Sequence, residues 1–392
     1  MKLAFISNYI NHHQTPVSTV FYENLGGNYY FIEMQPMEEE RIKQGWNPNT
    51  AVIPFVKSYY KEPELCQRII DESDVVIFGG VEDETCLETR IAQKKIIIRY
   101  SERLYREGQW KCITPRGLID KYKKYTRHNK DNFMCILCSG AYVASDFNIV
   151  RAFPGKRYKW GYFTEFLPME EPKRQSKEVI EFLWAGRFMK LKGGKQAVEM
   201  IYNLKKRGLN VHLTMIGDGE CKEELHAQAE RLNLKENVSF TGFLTPEEVR
   251  KKMIESDIFL FTSNYLEGWG AVLTEAMNSK CAVISSHAVG GAPFLIEDGV
   301  NGMIYKNGSV KELTECAQTL VSDEALRRKM GEEAYKTIRD YWNPRTAAER
   351  VLALAEEMLL GQSHFEEKGP LSEARVIAPA KMYGMVKKGK KI

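Results

Sequence analysis

The stretch IFLFTSNYLEGWGAVLTEAM, residues 258–277, runs an apolar segment into a short loop with two glycines and then into a second apolar run. IFLFTS carries no charge and does not alternate, which is the pattern of a strand buried on both faces. Gly268 and Gly270 interrupt it, and a helix is expected to start around Ala271. A buried strand feeding a helix is the repeating unit of a parallel sheet covered by helices, so the segment predicts an α/β fold.

The same rhythm recurs along the chain. In the first half the expected strands are KLAFIS (2–7), NYYFIEM (28–34), DVVIFGG (74–80), KKIIIRY (94–100) and FMCILCS (133–139). The charged stretch MEEPKRQSK (169–177) reads as a linker. Alternation then restarts with VIEFLWAG (179–186), NVHLTMIG (210–217), NVSFTGF (237–243), IFLFTS (258–263) and CAVISS (281–286). Two Rossmann-like domains are therefore expected, at 1–168 and 178–342. Two helices should break at Asn343-Pro344, because proline is tolerated in a helix's first turn but not inside it. The second of these helices occupies 343–364, and residues 365–392 are expected to form a basic, weakly structured tail.

Composition narrows the classes of function. At 392 residues the chain is too long for one ordinary core. Its 43% hydrophobic and 28% charged content fits a water-soluble globular protein, and no apolar run nears the roughly 18 residues of a membrane span. A secretory signal is not evident at MKLAFISNYINHH, so a cytoplasmic location is expected. The eight cysteines lack an even framework, as where thiols stay reduced. Cys135 and Cys138 form a CxxC inside an apolar run and read as core, since no second pair completes a zinc site. A net charge of +4 does not argue for nucleic acid.

Glu267 and Glu275 invite a glycosidase reading. On one continuous helix, eight residues rise about 12 Å, whereas glycosidase carboxylates lie roughly 5 to 9.5 Å apart. A hydrolytic pair is disfavoured. The alternative places Glu267 in the loop and Glu275 on the helix, so that they hold separate hydroxyls of one extended ligand. Gly268 and Gly270 then let the backbone approach that ligand, and the amides at the helix start face a phosphate. In AGRFMKLKGG, Arg187 and Lys192 stand bracketed by glycines after a strand, suited to a diphosphate whose negative charge develops on leaving. MIGDGE adds Gly217 after another strand, a weak signal by itself.

In order and spacing, AGRFMKLKGG, MIGDGE, VSFTGFL, YLEGWGAVLTEAM and GGAPFLIEDGVNG resemble glycosyltransferase family 4, retaining enzymes of the two-Rossmann-domain GT-B architecture (glycosyl transferases group 1). The likeness is strong over residues 178–310 and only architectural before them. It implies two domains facing across a cleft, with a C-terminal helix crossing back to the first. By this resemblance Glu267 contacts donor-sugar hydroxyls and Glu275 the ribose hydroxyls, while Arg187 and Lys192 neutralise the diphosphate. Gly186 and Gly217 belong to the donor-binding loops, the backbone of Phe243 and Leu244 reads the base, and Trp269, Gly270, Ala271 and Val272 cradle sugar and phosphates with Gly268. Trp269 stands where the family usually has Phe, and is expected to narrow the sugar pocket. Lys280-Cys281-Ala282 replaces a common Gly-x-Pro, and Phe294 sits where an acidic residue is frequent.

The first domain is expected to take the acceptor. Its opening loop NYINHHQTP lacks the family's frequent Gly-Gly and offers His12, His13 and Gln14 after the first strand. Glu102 offers an acceptor contact, with an ion pair to Arg103 as the plainer role. Residues 110–133 interleave Lys121, Lys123, Lys124, Arg127 and Lys130 with Trp110, Leu118, Ile119, Tyr122 and Tyr125, which suits either a solvated face or an interfacial helix on anionic lipid. The expected partners are thus a nucleotide sugar, a saccharide or lipid-linked saccharide, and an anionic membrane surface at the inner face of the plasma membrane. No cofactor and no metal are expected, since no Asp-x-Asp marks a metal-bound diphosphate. The rivals are a nucleotide-sugar epimerase of the same fold and a dinucleotide-dependent oxidoreductase, the latter weakened by the missing G-x-G-x-x-G after the first strand.

Overall fold

The computed structural model describes residues 1–39, 53–114, 116–126, 132–169 and 178–392. Most of the expected linker, residues 170–177, lies outside them, as do Arg127 and Lys130. The chain divides into two compact units, Met1–Glu165 with Tyr341–Ile377, and Phe166–Asp340 with Ala378–Ile392.

The first unit holds a parallel sheet of β1 (Leu3–Ser7), β2 (Tyr29–Glu33), β3 (Val56–Ser58), β4 (Val75–Phe78), β5 (Ile96–Ser101), β6 (Met134–Ser139) and β7 (Arg157–Trp160), in the order β3-β2-β1-β4-β5-β6-β7. Every residue of β1, β4 and β6 is buried, which explains their unbroken apolar runs: helices cover both faces. Cys135 and Cys138 are fully enclosed in β6, as the core reading expects. The guanidinium of buried Arg90 donates to the carbonyls of Ile70, Ser73, Asp74 and Ile96.

The second unit holds β8 (Ile180–Ala185), β9 (Val211–Ile216), β10 (Val238–Gly242), β11 (Ile258–Phe261), β12 (Ala282–Ser286) and β13 (Met303–Tyr305), all parallel, in the order β10-β9-β8-β11-β12-β13. Strand order reverses between β1 and β4 in one sheet and between β8 and β11 in the other. Ligands of open α/β sheets bind at such switch points, outside the carboxyl ends of the strands. Three strands escape the sequence reading, β3, β7 and β13; each is four residues or shorter and lies at or next to a sheet edge.

The helix break falls where the proline predicts it. Glu324–Asp340 ends, Asn343 caps the next helix by accepting from the Thr346 amide at 2.9 Å, and Pro344–Leu359 follows. That helix packs on Thr15–Leu25 in the first unit. The expectation of a weakly structured tail is corrected. Residues 371–374 lie alongside β7 through Lys159–Ser372, Leu371–Lys159 and Ala374–Arg157 backbone bonds. The helix Pro379–Lys387 then packs in the second unit, burying Met382 and Val386. Leu371, Ala374, Ile377, Met382 and Val386 are buried along this segment and order it.

Candidate active site

The loops leaving β8 and β11 at the second switch point are tied to each other. The Trp184 indole donates to Thr262 Oγ1 at 2.9 Å, and the Thr262 hydroxyl donates to the Lys192 carbonyl at 2.7 Å. The Asn264 amide adds a bond to the Leu191 carbonyl at 2.9 Å. Lys192 ends a short 3₁₀ turn, Lys190–Lys192, and its Nζ lies 2.5 Å from Oε2 of Glu267. Both side chains of this pair are mostly buried, at 18% and 13% exposure. Arg187 is exposed on the same loop, whose backbone is fixed by bonds from Phe188 to Asp218 and from Cys221 to Phe188.

Beyond Glu267 the backbone turns at Gly270 with φ +85, and a Cβ there would sit 2.3 Å from the Phe261 ring. Only glycine fits. The helix Ala271–Asn278 starts at once with no side-chain cap and no acidic residue in its first turn, leaving an N-terminus suited to an anion. Ala271 and Val272 are half-buried there. Glu275 lies one turn further on, off the Glu267 loop, so the two carboxylates sit on different elements. Burial pushes the Glu275 carboxyl up to about 7, against the opposing charge of Arg250.

Trp269 departs from expectation. Its side chain is 1% exposed and packs near Phe294, so it fills the core, and only its backbone is available to a ligand. An indole that large is buried more favourably than it would line a polar sugar site. Gly268 is buried beside it, while Gly186 and Gly217 carry the backbone out of β8 and β9, with Gly217 donating to the Gly242 carbonyl. Phe243 follows β10 with 64% exposure, next to half-buried Leu244.

At the first unit's switch point, Gln14 Nε2 donates to Ser7 Oγ at 2.9 Å and to the Tyr100 hydroxyl at 3.1 Å, and those two hydroxyls are 2.7 Å apart. The Gln14 Oε1 is buried with no hydrogen-bond partner among the described residues. The His12 and His13 rings lie 3.7 Å apart, and His13 stacks on Tyr162 at 5.7 Å and 9°. Burial first, then the neighbouring His12, holds the His13 imidazole well below its ordinary value, so it is neutral. The Tyr162 hydroxyl donates to Glu102 Oε1 at 2.5 Å. His12, His13 and Glu102 thus meet through Tyr162, which the sequence reading omits. The alternative role for Glu102, a pair with Arg103, does not form: Arg103 bonds Asp146 at 3.2 and 3.3 Å. That choice is electrostatic, because Asp146 is fully buried and needs a cation.

The basic segment is only partly a solvated face. Lys121 donates to the Leu104 carbonyl, Lys124 pairs with Glu84 at 3.0 Å, and Tyr125 packs inward on Phe147. Trp110, Ile119, Tyr122 and Leu118 stay exposed, Trp110 by 63%.

The second unit is one of a known class. Residues 168–337 match the model of the glycosyl transferases group 1 family. The match lies within the second unit, Phe166–Asp340. Among curated proteins it is similar to alpha-D-kanosaminyltransferase of Streptomyces kanamyceticus, 28% identical over 46% of this chain and 44% of that protein. It is also similar to the lipopolysaccharide core biosynthesis glycosyltransferase LpsE of Rhizobium meliloti, 28% identical over 39% of this chain and 43% of that one. The alignments thus span less than half the length of these curated relatives. The crystal structure of HepE from Anabaena in complex with UDP covers 90% of this chain and 99% of its own at a TM-score of 0.66 and 15% identity. At that identity the likeness shows a shared fold.

Proposed function

We propose that the protein is a retaining, metal-independent glycosyltransferase of family 4. It moves a sugar from a nucleoside diphosphate donor to a saccharide or lipid-linked acceptor in cell-surface polysaccharide assembly. The observation that carries the reading is the Lys192–Glu267 pair at the mouth of β8 and β11, inside a glycosyl transferases group 1 domain and beside an uncapped helix N-terminus. A cation and a carboxylate at one strand end suit a diphosphate and a polyhydroxylated sugar on one ligand.

In the proposed reaction the bond from the sugar's anomeric carbon to the β-phosphate oxygen breaks, and the acceptor oxygen bonds to that carbon on the same face. The acceptor's proton passes to the departing phosphate oxygen, so no side chain need act as base. Arg187 and Lys192 stabilise the charge that grows on the diphosphate. Glu267 orients sugar hydroxyls, Glu275 holds the ribose, and the backbones of Phe243 and Leu244 meet the base. Gln14, with its buried carbonyl oxygen, and the His12–His13–Glu102 group serve the acceptor.

HepE binds UDP, so uridine donors head the test panel. At a hundred times its dissociation constant a donor adds about 2.7 kcal/mol of stability. One or more nucleotide sugars should therefore raise the melting temperature and be turned over. No stabilisation by any of them would defeat the reading. The exposed aromatic and aliphatic residues near Lys121, Lys123 and Lys124 support work at an anionic membrane surface, on its cytoplasmic side. No helix among the described residues is long and apolar enough to cross a membrane.

A further inference from the structure

The loop that presents Glu267 is held from behind by a second loop, and that loop by the end of the chain. After β12, His287 is 4% exposed, and its Nε2 lies 2.8 Å from the Tyr265 hydroxyl, two residues before Glu267. His287 Nδ1 accepts from the Asn307 amide at 3.0 Å. With Nδ1 an acceptor, the neutral ring carries its hydrogen on Nε2 and donates it to Tyr265. Burial holds His287 below its ordinary value, consistent with that neutral form.

Three residues on, the backbones nearly touch. A Cβ on Gly290 would lie 1.7 Å from the Gly268 carbonyl oxygen, and the Gly291 amide donates to the Trp269 carbonyl at 3.0 Å. The 287–291 loop is therefore a template for residues 265–269, and a shift in one must move the other.

The ring of Tyr383, on the helix Pro379–Lys387, packs 5.2 Å from the His287 ring. Its hydroxyl donates to Glu312 Oε2 at 2.6 Å, and that oxygen also accepts the Lys306 amide at 2.9 Å. Lys387, one turn on, pairs with Asp298 at 2.7 Å and donates to the Ile304 carbonyl. The helix is thus pinned at its middle and at its C-terminal end over the segment that supplies Asn307.

We propose that Tyr383 and His287 are positioning residues for Glu267, so that the C-terminal helix is a working part of the donor site. The proposal rests on the glycosyltransferase reading for its kinetic consequence but not for its structural one. A carboxylate that orients sugar hydroxyls must hold its place closely, and a displacement of about 1 Å can cost on the order of a hundredfold in rate. Nucleotide affinity should be spared, because Glu275 and Phe243 lie outside this chain of contacts.

The test uses the full-length protein in three forms: Y383A, Y383F and Y265F. Y383F keeps the ring against His287, and Y265F removes one hydrogen bond without opening a cavity, so both should fold. Hydrogen exchange of amides 264–270 should quicken in Y383A and Y265F and stay near wild type in Y383F. In the same preparations kcat should fall about ten- to hundredfold for Y383A and Y265F, with Y383F restoring most of the rate and UDP affinity unchanged in all three. Unchanged exchange at 264–270 in Y383A and Y265F overturns the proposal. So does a loss of rate matched by equal losses of UDP affinity and melting temperature, which a merely structural role would produce. If the wild type transfers no sugar, the glycosyltransferase reading fails, and the exchange result alone decides the positioning role.

Discussion

The Lys192 ammonium, 2.5 Å from Oε2 of Glu267, joins two groups that the chain supplies from different strand ends, 75 residues apart. Without a ligand each satisfies the other, so a mostly buried cation and a mostly buried carboxylate are kept charged at low cost. An arriving diphosphate sugar can take Lys192 by its phosphate and Glu267 by its hydroxyls, exchanging one set of charge-assisted bonds for another.

Lys192→Ala and Arg187→Ala should separate stability from catalysis. Both should lower turnover by roughly a hundredfold or more, as loss of a contact to developing charge does. Only Lys192→Ala should also destabilise the fold, by about 1 to 3 kcal/mol, because it leaves the Glu267 carboxylate without its cation. Denaturant titration beside kinetics checks this; wild-type turnover in either purified variant contradicts the diphosphate role.

Glu275 should make stability and nucleotide binding depend on pH. Its carboxyl titrates near 7 in the folded chain against an ordinary value of 4.5. A raised acid is protonated in the native state while ionised in the unfolded one, so its contribution to stability is full below about pH 4.5 and is lost as pH rises through 7. Glu275→Gln should flatten that slope. Ribose hydroxyls donate to the ionised form, so nucleotide affinity should rise with pH between about 5 and 8 in the wild type and not in the variant. Glu267→Gln should instead harm transfer while leaving affinity for free nucleoside diphosphate near normal. Calorimetry across pH reads both effects; equal losses of nucleotide affinity in the two variants would remove the division of labour.

Much of this arrangement is legible in the sequence because buried parallel strands leave unbroken apolar runs. Ten strands therefore fall where IFLFTS and its counterparts stand, within two residues at each end. The loops that follow carry the charged and glycine residues, which is why the spacing places Arg187, Lys192 and Glu267 in loops at strand ends and Glu275 on the helix that follows. What is missed has a common cause. β3, β7 and β13 are too short to show a period, and the C-terminal helix rests on single apolar anchors. Tyr162, Thr262 and His287 act through contacts with residues distant in sequence. Trp269 is misread because a resemblance to a family position gives the residue's place but not the direction of its ring, which lies in the core.

Gly270→Ala should be among the most damaging small changes in the second unit. The residue has φ +85, and the added carbon would meet Phe261 at 2.3 Å, so strain and overlap combine. A loss of about 2 kcal/mol or more is expected, with weaker anion binding at the helix start; an unperturbed melting curve would show that the turn can relax.

The exposed face around Trp110 gives a test of membrane attachment. Replacing Trp110, Ile119 and Tyr122 together by serine, or Lys123 by glutamine, should reduce co-sedimentation with anionic vesicles at low salt while leaving donor hydrolysis near wild type. Absence of vesicle binding by the wild type at low ionic strength would defeat the interfacial role.

The most direct measurement is proton NMR of the purified chain incubated with a panel of nucleotide sugars and simple saccharide acceptors, following nucleoside diphosphate release and the anomeric proton of any product. At least one α-linked donor should be consumed, the transferred sugar should keep the α configuration without added metal, and Arg187→Ala and Glu267→Gln should abolish the signal. Consumption of donor with inversion, or turnover unchanged in both variants, would contradict the proposed function.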